Sequence, residues 1–94
     1  MLVLGNDKIH KFTKRHVNAT SALNAWVAEA KDAKWITTMD IKKRYSSADF
    51  LADNRVIFNI KGNHYRLVVK VKYQNGIVLV EWVGTHAEYS KKSF

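Results

Sequence analysis

The 94-residue sequence has no cysteine, no proline, only four glycines and half as many acidic as basic side chains. The lack of cysteine rules out a disulfide framework and a cysteine-based zinc site. The core must therefore stabilise the chain, and the composition fits a reducing compartment such as the cytoplasm. With no proline, repeat or low-complexity run to mark a linker, residues 1–94 are expected to form a single domain. The apolar opening, Met1 to Leu4, runs directly into Gly5-Asn6-Asp7-Lys8. It is too short for a signal peptide or a membrane span, so a soluble protein with no membrane partner is expected. His10, His16, His64 and His86 are scattered and carry no paired carboxylates. That spacing suits no metal, and no cofactor is expected.

What is abundant is positive charge. Sixteen Lys+Arg against eight Asp+Glu give a formal net charge of +8. Such an excess on so small a body favours polyanionic partners, either nucleic acid or an acidic protein.

Periodicity divides the chain into an α+β pattern. Met1 to Leu4 reads as a first strand. Asn6 or Asp7 is expected to cap a helix that runs to about Arg15 with Ile9 and Phe12 inward. A second helix, from between Asn18 and Ser21 to about Ala33, places Leu23, Trp26, Val27 and Ala30 on one stripe. Thr38 is a candidate cap for a short helix over Met39 to Arg44, and Ser46 to Asn54 reads as a loop. From Arg55 the period becomes two, predicting strands over Arg55 to Ile60, His64 to Tyr73 and Ile77 to Val83. Lys61-Gly62-Asn63 and Asn75-Gly76 supply the turns between them. The expected order is β-α-α-β-β-β, a mostly antiparallel sheet with helices packed on one face. Trp26 and Trp82 are assigned to the core, the latter because it alternates with Val78 and Val80, and Trp35 is left open.

The middle long strand carries the functional signal. Tyr65, Leu67, Val69 and Val71 alternate with His64, Arg66, Val68, Lys70 and Lys72, so one face is core and the other cationic. Lysines on a solvated sheet face are ordinary. Between Asn54 and Val80, however, lie Arg55, Lys61, Arg66, Lys70 and Lys72 with no Asp or Glu, a field suited to a phosphate backbone. Just past the last strand come His86 and, three residues on, Tyr89. A lone histidine at a strand end is usually structural. With Arg66 and Lys61, though, these residues offer what metal-free RNA cleavage needs: a proton donor or acceptor near neutral pH and fixed cations for the charge that develops on phosphorus.

Two segments, Phe58-Asn59-Ile60-Lys61-Gly62-Asn63-His64-Tyr65-Arg66-Leu67-Val68-Val69 and Val83-Gly84-Thr85-His86-Ala87-Glu88-Tyr89, resemble the signature of HigB-type toxins, part of the RelE-like group. The resemblance extends upstream through Ala22-Leu23-Asn24-Ala25-Trp26 and Tyr45-Ser46-Ser47-Ala48-Asp49-Phe50-Leu51, while Phe12 to Thr20 is less typical. It implies a RelE-like fold and cleavage of mRNA on translating ribosomes, in contact with ribosomal RNA. It also implies neutralisation by an adjacent helix-turn-helix antitoxin of the HigA type, through which the complex binds operator DNA. Carried over by position, the phosphate-stabilising strand arginine falls on Arg66, and the catalytic region after the last strand falls on His86 and Tyr89, with Lys61 beside them. RelE has an arginine near the position of His86, and lysines on the preceding strand where this chain has Asn59 and Lys61. Asn59, Asn63, His64, Lys70, Lys72 and Arg55 complete the expected RNA-binding set. Two alternatives stay open: a ParE-like toxin that inhibits a topoisomerase without cleaving anything, and a basic RNA-binding domain of the ribosome.

Overall fold

In the structure, a computed structural model that describes residues 1–92, a five-stranded sheet carries its helices almost entirely on one face. The chain runs β1 (Leu2–Leu4), α1 (Asn6–Arg15), a single 3₁₀ turn (Val17–Ala19), α2 (Thr20–Asp32), α3 (Thr38–Arg44), β2 (Asp49–Leu51), β3 (Arg55–Ile60), β4 (Tyr65–Lys72), β5 (Ile77–Thr85) and α4 (His86–Ser90). The sheet order is β1-β5-β4-β3-β2. β1 lies parallel to β5 and the other pairs are antiparallel. This is the expected α+β class with one more strand and one more helix than the sequence pattern suggested. No helix among the described residues is long and apolar enough to cross a membrane.

The extra strand, β2, lies in the stretch expected to be a loop. Asp53 and Asn54 both take left-handed conformations (φ 62° and 59°), and the tight reversal they form pairs Leu51 with Arg55 and Phe50 with Val56. Asp and Asn tolerate this region better than other side-chain-bearing residues, so the turn was written in the sequence even though a three-residue edge strand was not.

Helix starts also differ from expectation. α3 is capped by Thr37 rather than Thr38: the Thr37 hydroxyl and the Asp40 carboxylate each accept from the other's backbone N–H. The capping box needs an acidic or amide residue at the third helical position, and Asp40 holds that place only when Thr37 is the cap. α1 begins without a side-chain cap, behind Gly5 at φ 86°. There the backbone passes so close to β5 that a Cβ would meet the Val80 carbonyl oxygen at 2.7 Å.

The core fills the space between sheet and helices. Ile9, Phe12, Leu23, Trp26, Ala30 and Ile41 from the helices pack on Val56, Phe58, Leu67, Val69, Val71, Val78 and Val80. Phe58 is its aromatic centre, with ring centroids of Trp26, Trp35 and Tyr45 at 5.3, 6.0 and 5.0 Å. Trp35 is thereby settled as core, 6% exposed. Such pairs add about 0.5–1.5 kcal/mol each beyond the area they bury.

One expectation about the core is overturned. Val69 pairs with Val80 and Val68 with Trp82, so Glu81 is an extra residue on β5, a β-bulge. Past the bulge the parity of β5 reverses. Val83 turns to the core, and Trp82 turns to the face that carries Arg66.

Candidate functional site

The sheet's second face, bare of α1, α2 and α3, reads as a grid. One end of it is built by β4, β5 and α4. Arg66 pairs with Gly84 and Tyr65 with Thr85, and the His86 N–H donates to the His64 carbonyl at 3.1 Å. Thr85 then caps α4. The Glu88 N–H donates to Thr85 Oγ1 at 3.1 Å, and the Thr85 N–H donates to Glu88 Oε1 at 2.8 Å. The Thr85 backbone bond, ahead of any other cause, holds the Glu88 carboxyl below the usual carboxylate range. Weaker contributions come from the charges of Arg15 and His16, which brings the end of α1 into the electrostatics of this corner.

The capping box fixes the first turn of α4, and with it His86 and Tyr89, which lie three residues apart on one side of the helix. The Arg66 guanidinium carbon lies 5.8 Å from the centroid of the Tyr89 ring. Arg66 Nη1 is buried and has no hydrogen-bond partner. An orphaned guanidinium donor is costly in a folded protein, by about 1–3 kcal/mol or more for a charged group. It is the sort of group kept where an anion will complete it. His86 is exposed at the mouth of this corner.

Trp82 joins this corner, although alternation had assigned it to the core. Its ring lies against Gly84, where a Cβ would come within 2.3 Å of Cη2, and its centroid is 6.2 Å from that of Tyr89. The Lys92 ammonium lies 5.7 Å from the same ring. Nothing in the local sequence marks the bulge that turns Trp82 round. Its one trace is Gly84, two residues further along β5, which leaves room for an indole.

On the helical side of the same corner, Tyr65 meets Phe12 at 5.5 Å, His16 at 6.0 Å and His64 at 6.2 Å between ring centroids. His16 stacks on Phe12 at 4.4 Å. Neither His16 nor Tyr65 belonged to the expected site.

The remaining expected residues divide into two groups. Lys61, in the β3–β4 turn at φ 53°, points its ammonium to the Asn18 carbonyl at 3.4 Å, on the side of the helices and away from the Arg66–Tyr89 pair. Asn59 lies opposite Arg66 in register, and its amide donates to the Ser47 carbonyl at 3.2 Å. Asn63 and His64 are exposed beside the turn. Arg55, Lys70 and Lys72 share the face of Arg66 but lie toward the other end of β4. Four to six residues at about 3.3 Å each put Lys70 and Lys72 roughly 13–20 Å from Arg66 along the strand. The structure thus brings the Tyr89 ring beside Arg66, carries His86 three residues earlier on the same short helix, bonds its backbone to that of His64, whose ring lies by Tyr65, and leaves Lys61 apart from the Arg66–Tyr89 pair.

No curated protein matches the sequence well enough to add a named relative. Residues 19–92 match the family described as HigB toxin, the RelE-like toxic component of a toxin-antitoxin system. The match starts after α1, the stretch that looked least typical, and takes in α2, the whole of β2 to β5 and the α4 corner. The chain therefore belongs to the HigB family of RelE-like toxins, and an antitoxin is its partner.

Proposed function

We propose that this toxin is a metal-free mRNA endoribonuclease that acts on translating ribosomes in the cytoplasm and so inhibits translation. The observation that carries the reading is the buried, unpartnered Nη1 of Arg66 beside the Tyr89 ring, at a strand end topped by the exposed His86. A guanidinium held there suits a phosphate, and it is in place before any substrate arrives, so no reorganisation is needed as charge grows on the non-bridging oxygens.

This reading implies one reaction. The substrate 2′-oxygen bonds to the adjacent phosphorus while the bond from phosphorus to the 5′-oxygen breaks. The products are a 2′,3′-cyclic phosphate and a free 5′-hydroxyl. One proton leaves the 2′-hydroxyl and one reaches the 5′-oxygen, and the His86 imidazole, able both to accept and to donate a proton, handles one of these transfers. Arg66 holds the phosphoryl oxygens, and Tyr89 orients the substrate by its ring. Glu88 is already committed to capping α4, so it serves this chemistry by fixing His86 and Tyr89. Lys61 acts away from the reacting atoms, together with Asn63 and His64, along the path of the RNA. Arg55, Lys70 and Lys72 supply the phosphate contacts to RNA on the ribosome. In this reading the antitoxin is a HigA-type helix-turn-helix protein that carries the complex to operator DNA.

The test is a primer-extension map of a defined mRNA incubated with the purified protein, with and without translating ribosomes, beside Arg66→Ala and His86→Ala. New 5′ ends that need ribosomes and vanish in both variants are the expected result. Cleavage of naked RNA would remove the ribosome from the proposal, and full cleavage by His86→Ala would remove that residue. No cleavage by folded wild-type protein would point to inhibition of a topoisomerase or to RNA binding alone.

A further inference from the structure

Away from the Arg66 corner, the second face of the sheet ends in a patch of exposed aliphatic side chains. The register aligns Leu2, Ile77 and Lys72 in one row across β1, β5 and β4. The next row holds Leu4, Leu79, Lys70, Arg55 and Leu51. Leu2 is 59% and Leu4 42% exposed, and Ile77 and Leu79 are only partly buried. The two rows contain no Asp or Glu. Four contiguous aliphatic side chains bordered by three cations are unusual on a surface left to water.

A second feature adjoins the patch through Leu2. A cavity of about 470 Å³ opens between the end of α2 and the β4–β5 turn, with Lys31, Lys34, Ile36 and Tyr73 among its lining residues. Ile36 is 74% exposed on it, and Tyr73 Oη is buried there without a partner. That hydroxyl is a donor waiting for an acceptor, and Lys31 and Lys34 suit the acceptor to a carboxylate.

We propose that this end of the sheet, centred on Leu2, Leu4, Ile77 and Leu79, anchors an amphipathic acidic segment of the antitoxin, apolar residues on the patch and carboxylates over the surrounding lysines. The proposal rests on membership of the toxin family and not on the nuclease reading. Its geometry suits one amphipathic segment. Leu2 and Leu4 are about 6.6 Å apart along the strand, close to the spacing of side chains three or four apart on a helix.

Two other occupants fit less well. RNA reaches the lysines in the nuclease reading, but it stacks on aromatic side chains and gains little from the aliphatic ones at the centre of the patch. A second copy of the chain would bring Lys70, Lys72 and Arg55 against their own counterparts, a like-charge juxtaposition that a self-complementary interface avoids. The patch also lies at the far end of β4 from Arg66, so the anchor and the catalytic corner are separable by mutation.

The test uses the toxin and the antitoxin encoded beside it, purified together and then separated. Methyl-labelled toxin is titrated with antitoxin, and affinity is measured for wild type, the double variant Leu2→Glu/Leu4→Glu, and Arg66→Ala. The expected result is that the Leu2, Leu4, Ile77 and Leu79 methyl signals shift on binding. The double variant should lose about a hundredfold in affinity, while Arg66→Ala binds like wild type. Unshifted methyls overturn the proposal, and need no variant to fold. So does a double variant that binds normally, or methyls that shift with toxin concentration alone or that a short RNA moves and the antitoxin does not. Cleavage of mRNA by free wild-type toxin is assayed in parallel. Its absence would count against the nuclease reading and leave the anchor standing or falling on its own titration.

Discussion

Adding one methyl group at Gly84 should tie the stability of this protein to the activity of its Arg66 corner. Gly84 sits in the extended part of β5, paired with Arg66, and its φ lies in the ordinary negative range. Alanine is therefore conformationally welcome and alone would gain about 0.5–1 kcal/mol over glycine. The obstacle is the Trp82 ring. A Cβ at Gly84 would lie 2.3 and 2.4 Å from two of its carbons and 3.1 Å from Glu88 Oε1. Carbon atoms rest at about 3.5–4.0 Å, so the ring must move by more than an ångström. Overpacking of this kind costs about 1–3 kcal/mol, and the net loss is about 1–2 kcal/mol. At about 4–8 °C per kcal/mol for a domain of this size, Gly84→Ala should melt roughly 4–16 °C below wild type.

The same displacement passes through Tyr89, 6.2 Å from Trp82, to Arg66, 5.8 Å from Tyr89. Cleavage by Gly84→Ala should fall by about a hundredfold, the usual penalty for a reacting group misplaced by about 1 Å. Thermal unfolding by circular dichroism reads the stability. Acrylamide quenching reads the ring, since Trp26 and Trp35 are 2% and 6% exposed and Trp82 is the half-buried tryptophan of the three. The decisive control is Trp82→Leu. Placed on Gly84→Ala it should recover about 1 kcal/mol or more, a coupling that only direct contact produces. If Gly84→Ala melts with wild type, or the double variant shows no coupling, the indole does not lie over Gly84 and the account of the bulge is wrong.

Arg66→Met should end cleavage while leaving the melting temperature unchanged or raising it, because the orphaned Nη1 contributes about 1 kcal/mol or more of desolvation cost. A sharp drop in stability would show instead that Arg66 is a structural residue. Gly5→Ala combines a left-handed φ of 86° with a Cβ placed 2.7 Å from the Val80 carbonyl oxygen, so it should cost at least about 2 kcal/mol in chemical denaturation; a midpoint equal to wild type would disprove the close passage of the β1–α1 junction over β5. The Tyr45 hydroxyl, and after it Arg44, lower the Glu29 pKa from 4.5, through bonds of 2.5 Å each. A lowered folded-state pKa gives stability that is full above the ordinary value and lost as pH falls through the folded one. Glu29→Gln should therefore lie about 0.5–1 kcal/mol below wild type at pH 7 and converge with it below pH 4.5, and a gap that persists in acid would refute the assignment.

How far the sequence could be read depended on whether a residue's direction is set by counting along a regular element. Arg66, Lys70 and Lys72 were legible because β4 is uninterrupted, so parity alone put them on one face opposite Leu67, Val69 and Val71. The β3–β4 and β4–β5 hairpins were legible from their Gly-containing turns, and α2 from the spacing of Leu23, Trp26 and Ala30. β2 was not, because three residues are too few to show a period and only pairing with β3 makes them a strand. Lys61 escaped for a related reason. It belongs to a turn with a left-handed backbone, where alternation says nothing about direction, and its ammonium goes to Asn18. Trp82 is the instructive case. Alternation from Val78 and Val80 predicts the core for it, and that count fails because Glu81 is inserted where β5 must bend against β4. Without the bulge, Trp82 would enter the core, and Val83 would face out beside Arg66. With it, the strand end carries Gly84 opposite Arg66 and delivers Thr85 to cap α4, so the Tyr89 ring arrives over the guanidinium with His86 three residues before it on the helix. The half of the corner that the sequence hid is therefore the half built by one unpaired residue, whose position depends on pairing across the sheet and not on any local pattern.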